Sequence, residues 1–301
     1  MSSLKDWTFK FAQRNSFDRL SESIIIYFQP IFPAITFKDK VNDELLREVL
    51  LSGHSCKILD VGCGYGRYIY RILEFFVQDV DVIGVDISRK MMRLALEIAK
   101  KKNLKSKVSY VVCDAENLPF RDTSFDLILC YDLLEHLPNP SLCIKEFGRI
   151  LLKGGHVIIY TLNRNYKYTF DWLLERIFYK WLQKRRIKVG HFPEKYLNIN
   201  ELNSMLSKNH MYSVKIIPMH CFVTGIWDIY ILPLISNLKY RKKENGKRES
   251  AIKSANSFQR LIKFLIAYIS YALKIFSLMD RPLEKRFLSA GFFIFSYKID
   301  N

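Results

Sequence analysis

Lys57-Ile-Leu-Asp-Val-Gly-Cys-Gly-Tyr-Gly66 is the stretch that decides the fold, and Ile83-Gly-Val-Asp86 completes it 20 residues later. An apolar strand leads into a glycine-rich turn, a helical pattern follows, and a second apolar strand ends in an acid. Glycine lets the backbone approach a ligand that a Cβ would exclude, and the acid can accept from two ribose hydroxyls. The pattern therefore predicts a nucleoside-binding turn at Gly62, Gly64 and Gly66.

A second acid, Asp60, lies just before the turn, where a dinucleotide-binding fingerprint needs none. A carboxylate at this position suits a ligand that carries positive charge, such as an amino group and a sulfonium. We therefore expect Asp60 to orient the glycine turn and to face the positively charged part of the ligand.

Two further motifs follow in order along the chain. Asp114-Ala-Glu-Asn-Leu-Pro-Phe120 follows a third strand candidate, and Ser124-Phe-Asp126 opens a fourth strand that runs into Leu134-Glu-His136. In this order and spacing the motifs resemble the class I S-adenosylmethionine-dependent methyltransferases. Within that class they resemble the type-11-like small-molecule group, which includes ubiquinone-pathway enzymes. The resemblance covers about residues 56–162.

The resemblance implies an α/β fold with a Rossmann-like seven-stranded sheet. Such a sheet is mostly parallel with its last strand antiparallel, has helices on both faces and carries helical cap insertions. The hydrophobic pattern predicts strands at 57–61, 81–85, 108–113, 125–130, 155–161, 213–219 and 291–297.

Start and stop signals place the helices between these strands. Ser88 is a predicted N-cap for a helix over 89–102. A helix opened by Asn139-Pro140 is predicted to stop at Gly154-Gly155. Further helices are expected at 170–184 and 199–208.

The resemblance also implies S-adenosylmethionine as the cofactor and assigns residues to its parts. Asp60 would reach the methionine part, Asp86 the ribose hydroxyls, and Ile87 would flank the adenine. Asp114 would accept from the adenine amino group, with Ala115 supplying a backbone amide. Tyr131 would contact the amino-acid end of the cofactor through its backbone.

Methyl transfer to a hydroxyl or a protonated amine needs a base. His136 is the leading base candidate, because it follows the fourth strand at the edge where sites form in open α/β sheets. A structural role is the alternative, since Glu135-His136 is common in this family without always being catalytic. His191 is the second candidate. No metal site is expected, because the two acids Asp132 and Glu135 alone are too weak a signal for one.

Positive charge is concentrated after residue 162. The chain has 47 Lys and Arg against 30 Asp and Glu, a net charge of +17. Residues 1–55 are neutral, residues 56–162 carry +2, and residues 163–301 carry +15. A basic appendage of this kind favours a polyanionic partner, such as nucleic acid, a phosphorylated substrate or anionic lipid headgroups.

The chain divides into a core and several appended segments. These are an N-terminal helical cap (1–55), the cofactor-binding core (56–162), a first helical insertion (163–197), a core helix with strand six (198–220), a second insertion (221–287) and the last strand (288–301).

The second insertion has two apolar stretches, 222–238 and 261–279, around a basic linker, 239–253. Membrane spanning is disfavoured, because two spans would place the basic linker outside and one span would separate the last strand from its sheet. Two compatible alternatives stay open: a cap over the active site, or a helix lying in a membrane interface.

The six cysteines form no C-x-x-C pair, which favours reduced, buried thiols in a cytosolic protein. The first residues have no continuous apolar core, so no secretory signal is expected. We therefore expect a cytoplasmic protein that can lie peripherally at the inner membrane face.

The leading functional hypothesis is O-methylation of an amphipathic small molecule: a quinone precursor, a lipid headgroup or a glycolipid sugar. Thr161-Leu-Asn-Arg164 resembles the corresponding stretch of ubiquinone-pathway O-methyltransferases. RNA or protein methylation is the alternative that the basic charge favours, but no RNA-binding module is recognisable. A non-catalytic cofactor-binding scaffold is the third hypothesis.

Overall fold

A computed structural model of the chain describes residues 36–50, 56–75, 80–104, 107–188, 193–226, 280–286 and 288–299. Its centre is a seven-stranded sheet in the order β3-β2-β1-β4-β5-β7-β6. The strands are β1 Cys56–Val61, β2 Val80–Asp86, β3 Val108–Val112, β4 Phe125–Tyr131, β5 Leu151–Leu162, β6 Met211–Met219 and β7 Gly291–Lys298.

Strand direction confirms the predicted sheet. The first five strands pair in parallel, whereas β7 lies between β5 and β6 and is antiparallel to both. The run Phe292–Phe295 is buried, as a strand with neighbours on both sides requires. Because β7 reverses direction, β6 again runs parallel to β5, and their carboxyl ends reach the same edge of the sheet.

Six main helices are described. They are α1 Phe37–Leu50, α2 Arg67–Phe75, α3 Arg89–Lys101, α4 Pro140–Ile150, α5 Phe170–Lys188 and α6 Ile199–Ser207. Five of them, all except α5, pack on the two faces of the sheet. Side chains of α1, α2 and α3 form one hydrophobic cluster with one face of the sheet. Side chains of α4 and α6 form a second cluster on the opposite face.

Local capping explains where two of these helices begin. The Ser88 hydroxyl accepts from the Met91 amide at 3.1 Å, which confirms it as the N-cap of α3. Asn198 caps α6 in a reciprocal arrangement: its side chain accepts from the Glu201 amide, and the Glu201 carboxylate accepts from the Asn198 amide.

The predicted end of α4 at Gly154-Gly155 is wrong. The helix ends at Ile150, and Leu151 already pairs with Phe125 as the first residue of β5. The glycine pair instead lies in an irregularity of β5, where the register with β4 shifts and Gly154 adopts φ +72°. Burial of Leu151 in the core decides the boundary, so the glycines bend a strand instead of ending a helix.

Several sequence-based predictions fall outside the described residues. These are most of the N-terminal cap up to residue 35, His191, and residues 227–279 of the second insertion with their basic linker. The proposed division into segments stays a prediction. All six cysteines are described and are free thiols, five of them buried.

The backbone of β2 passes so close to α2 that residue 84 has no room for a side chain. A Cβ on Gly84 would lie 2.7 Å from Ile69 Cδ1 and 2.8 Å from Cys63 Sγ. Gly84→Ala should therefore lower the free energy of unfolding by about 1–3 kcal/mol. Urea denaturation measures this change, with Ser109→Ala on the exposed side of β3 as control. An unchanged midpoint for Gly84→Ala would contradict the close packing.

Candidate active site

The glycine turn between β1 and α2 has the backbone shape that the sequence predicts. Gly62, Gly64 and Gly66 have φ values of +75°, +53° and +86°, a region that side chains rarely adopt. The amides of Gly62 and Cys63 both donate to the Val85 carbonyl, at 2.8 and 2.9 Å. The turn is therefore tied to the end of β2.

Asp86 fixes this turn more directly. Its Oδ2 accepts from the Gly64 amide at 3.0 Å, and its Oδ1 accepts from the Ser88 amide at 2.8 Å. One carboxylate thus holds both the glycine turn and the start of α3. Its predicted contact with ribose hydroxyls stays a prediction.

Asp60 lies next to the turn and is almost completely buried, with 2 % of its surface exposed. Its Oδ2 has no hydrogen-bond partner within the described part of the chain. Burial raises the pKa of Asp60 to about 8, and the negative charge of Asp86 adds to the rise. A buried carboxyl in this state is stabilised by a cation or a strong donor, so its surroundings fit a positively charged ligand.

These groups surround a cavity of about 300 Å³ at the carboxyl edge of β1, β2 and β4. Of the sequence-predicted cofactor residues, eight line it: Asp60, Gly62, Gly64, Asp86, Ile87, Asp114, Ala115 and Tyr131. The ninth, Gly66, ends the turn instead, where a Cβ would lie 3.0 Å from the side chains of Tyr70 and Tyr110.

His136 also lines the cavity, at the end of a single 3-10 turn formed by Leu134–His136. Its amide donates to the Leu133 carbonyl at 2.8 Å, which holds the turn closed over the end of β4. The structure therefore brings His136 to the site, and its role as a base stays a prediction.

Glu135 is fully buried, and its Oε2 accepts from the Thr161 hydroxyl at 3.0 Å. Burial raises the pKa of Glu135 above its ordinary value, and the charge of Asp132 raises it further. Across the residues described, no three His, Cys, Asp or Glu side chains come together as a possible metal site.

Two ion pairs between α1 and α2 support the cavity wall, and sequence reasoning missed them. Arg67 donates to both oxygens of Asp39, and Arg71 donates to both oxygens of Asp43. Asp39 and Asp43 are four residues apart on α1, and the two arginines are four residues apart on α2. The acids therefore share one face of α1, and the arginines share the facing side of α2. Arg67 itself lines the cavity.

Aromatic packing completes this wall. The rings of Tyr68 and Tyr131 lie 4.2 Å apart between centroids, and the Tyr131 hydroxyl donates to Asn42 Oδ1 at 2.6 Å. Helix α1 therefore holds the lining residues in place through Asp39 and Asn42. The spacing of Asp39, Asn42 and Asp43 in the sequence indicates these contacts only to a reader who already knows that α2 packs against α1.

The family model described as "Methyltransferase domain" matches residues 52–214 of this chain. The ubiquinone biosynthesis O-methyltransferase of Aliivibrio fischeri is 31 % identical over 165 residues, which cover 54 % of this chain and 67 % of that protein. Its mitochondrial counterpart from Candida albicans is 32 % identical over 177 residues, covering 57 % of this chain and 52 % of that protein. The chain thus aligns with about half to two thirds of the length of these curated relatives.

The fold is similar to that of a solved N-methyltransferase. Phosphoethanolamine N-methyltransferase 2 of Haemonchus contortus, solved in complex with S-adenosyl-L-methionine, has a TM-score of 0.64 and 18 % identity. The alignment covers 96 % of this chain and 60 % of that chain. At this identity the similarity shows the fold.

Asp60→Asn should change two quantities in different ways: the pH dependence of the free energy of unfolding and the affinity for S-adenosylmethionine. In the ligand-free protein the folded state keeps a proton on Asp60 between about pH 4 and pH 8, whereas the unfolded state releases it. The stability of the wild type should therefore fall by up to about 1.4 kcal/mol per pH unit in this window. The asparagine variant lacks this titrating group, so its free energy of unfolding relative to that of the wild type should increase with pH.

Urea denaturation at pH 5 and pH 7.5 measures this difference, with the exposed Asp81→Asn as control for loss of a carboxylate. Calorimetry should show that Asp60→Asn binds S-adenosylmethionine at least about 10-fold more weakly, because a charge-assisted contact is lost. A variant with the same pH dependence and the same affinity as the wild type would contradict the assignment of Asp60.

Proposed function

Because this chain belongs to the methyltransferase domain family, we propose that its S-adenosylmethionine-dependent reaction methylates a hydroxyl group of an amphipathic small molecule. A quinone precursor is the first candidate acceptor. The chain is a methyltransferase whose cofactor is S-adenosylmethionine; the acceptor is the proposed part.

The cavity offers a suitable set of hydrogen-bond acceptors for this cofactor. Asp86 would hold the ribose hydroxyls, Asp114 the adenine amino group, and Asp60 the positively charged end. The observation that carries this assignment is the buried Asp60 Oδ2, which has no hydrogen-bond partner among the described residues, beside a turn whose glycines adopt positive φ.

When bound, S-adenosylmethionine supplies an electrophilic methyl carbon on a sulfonium. The chain itself must align an acceptor oxygen, exclude water and take up a proton. Tyr68 and Tyr131 present apolar ring surface at the cavity, and Asp132 and His136 add polar groups at the same edge. This combination suits a phenolic hydroxyl on an otherwise apolar molecule.

Similarity to ubiquinone biosynthesis O-methyltransferases supports a hydroxyl as the methyl acceptor and a quinone precursor as the first molecule to test. The relatives are about 30 % identical, and the family model ends at residue 214, before the second insertion. Acceptor identity is therefore the part of the proposal that an experiment must decide.

An exposed apolar surface on and before α5 supports access to a lipid-borne acceptor. Tyr168, Ile177, Phe178 and Tyr179 are each 55–60 % exposed, and the Arg176 guanidinium lies 5.1 Å from the Trp172 ring. These residues lie before α5 and around its kink at Phe178, and aromatic side chains next to a basic one are typical of contact with anionic headgroups. No helix among the described residues is long and apolar enough to cross a bilayer.

The fraction that takes up a labelled methyl group identifies the class of the acceptor. The purified protein is incubated with methyl-labelled S-adenosylmethionine and with separated lipid, polar-metabolite, RNA and protein fractions. Label should enter the organic extract as a methyl ether, identified by mass spectrometry. Asp86→Ala is the blank, because it loses the bond to Gly64 and the ribose contact. Label confined to RNA or protein would contradict the proposal.

Contact with a membrane surface predicts sedimentation with vesicles. The wild type should sediment with vesicles that contain phosphatidylglycerol and less with phosphatidylcholine alone. Replacing both Ile177 and Phe178 by Asp should reduce the bound fraction several-fold, because two exposed apolar side chains are lost. Tyr212→Asp, an exposed position on β6, is the control. Unchanged binding of the double variant would exclude α5 as the contact surface.

A further inference from the structure

The loop between β3 and β4 carries two of the residues that line the cavity. Asp114 and Ala115 lie near its start, outside the helices and strands. The Asp114 carbonyl accepts from the Asn117 amide at 3.1 Å, and Asp114 Oδ1 accepts from the Glu116 amide at 3.0 Å. This turn orients the carboxylate relative to its own backbone, so its place at the cavity depends on how the rest of the loop is held.

Two side chains of α4 hold the loop backbone directly after this turn. Glu146 Oε2 accepts from the Leu118 amide at 2.8 Å, and Arg149 Nη2 donates to the Leu118 carbonyl at 3.0 Å. Arg149 Nη1 donates to the Phe120 carbonyl at 2.7 Å. One pair of side chains therefore binds three backbone groups of the loop. Sequence analysis assigned neither side chain a role.

Glu146 and Arg149 also bind each other, which fixes their geometry. Arg149 Nε donates to Glu146 Oε1 at 3.0 Å, and Arg149 Nη2 donates to Glu146 Oε2 at 2.7 Å. Two parallel bonds between a guanidinium and a carboxylate constrain both the distance and the angle. Hydrogen bonding to Arg149 holds the pKa of Glu146 below its ordinary value, so Glu146 is ionised at neutral pH and only accepts.

Apolar packing alone would not orient this loop. Leu118 is buried, and the rings of Phe120 and Phe125 lie 5.0 Å apart between centroids. Burial of this kind is non-directional, whereas hydrogen bonds to the backbone fix the rotation of the peptide groups. Neither Glu146 nor Arg149 lines the cavity, so their effect on a ligand is transmitted through the loop.

We propose that Glu146 and Arg149 are positioning residues for recognition of the adenine base, an inference that rests on the proposed contact of Asp114 with the adenine amino group. By holding the loop backbone after the turn, they keep the Asp114 carboxylate and the Ala115 amide directed at the base. Adenine presents an amino group to the carboxylate and an unprotonated N1 to the amide. A 6-oxopurine presents an oxygen and a protonated N1 at the same positions, so a fixed loop rejects it.

S-adenosylhomocysteine and S-inosylhomocysteine test this role, because they differ only in the 6-substituent of the purine and in the proton on N1. Calorimetry should show that the wild type binds the adenosyl ligand at least about 10-fold more tightly than the inosyl ligand. Arg149→Met should weaken binding of the adenosyl ligand about 10-fold and change that of the inosyl ligand by less than about 2-fold. Lys145→Met, at an exposed position on α4, is the control and should keep the selectivity of the wild type.

A general loss of structure would weaken binding of both ligands equally. An unchanged ratio of the two affinities in Arg149→Met would therefore overturn the inference. Glu146→Gln keeps the shape of the side chain and provides the test if the arginine variant does not fold. Its ratio should fall at least about 3-fold, because the charge-assisted bonds are lost, and a ratio equal to that of the wild type would also overturn the inference.

A double-mutant cycle shows whether Arg149 acts through Asp114. Asp114→Ala should remove the selectivity by itself, and adding Arg149→Met should then change the ratio by less than about 2-fold. Additive effects of the two changes would overturn the inference. A wild type that binds both ligands equally would contradict the assignment of Asp114 and, with it, this role of the pair. Selectivity that is lost in Asp114→Ala but kept in Arg149→Met would overturn the inference alone.

Discussion

The hydrogen bond from the Gly64 amide to Asp86 Oδ2 joins two residues that line the cavity and is the contact on which the shape of the glycine turn depends. It crosses from the turn after β1 to the end of β2, beside the two amides that donate to Val85. Parallel pairing brings both strand ends to one edge, and positive φ values at the glycines point the turn amides toward Asp86. Because the other oxygen of Asp86 accepts from the Ser88 amide, one carboxylate links the turn to the start of α3.

The same edge concentrates polar groups that have lost their water. Asp60 and Glu135 are buried carboxyls whose pKa values are raised by burial, and each has an oxygen without a partner within the described residues. Such groups lower stability unless a ligand or neighbour compensates them. The partly buried ion pairs from α1 to Arg67 and Arg71 join two helices at the adjoining wall of the cavity.

Sequence reasoning predicted the parts of the site that are local in the chain. The glycine turn, Asp60, Asp86 and Asp114 each lie at or just past the carboxyl end of a strand, and a parallel sheet places all such positions at one edge. It did not predict contacts between distant residues: Lys38 and Asp132 are 94 positions apart, and Tyr160 and His220 are 60 apart. No local periodicity encodes such pairs. The packing of α1 near the end of β4 brings the first pair together, and the topology of the last three strands brings the second pair together. The misplaced end of α4 has a different cause, since Gly154-Gly155 suits both a helix end and a strand irregularity.

Hydrogen exchange, followed by mass spectrometry with and without S-adenosylmethionine, tests the central claim most directly. If the cavity is the cofactor site, slower exchange should appear in peptides that cover residues 60–68, 85–91 and 113–118. Peptides from the far end of the sheet, around residues 211–217, should exchange at the same rate in both states. Protection confined to other segments, or no protection at saturating cofactor, would contradict the account.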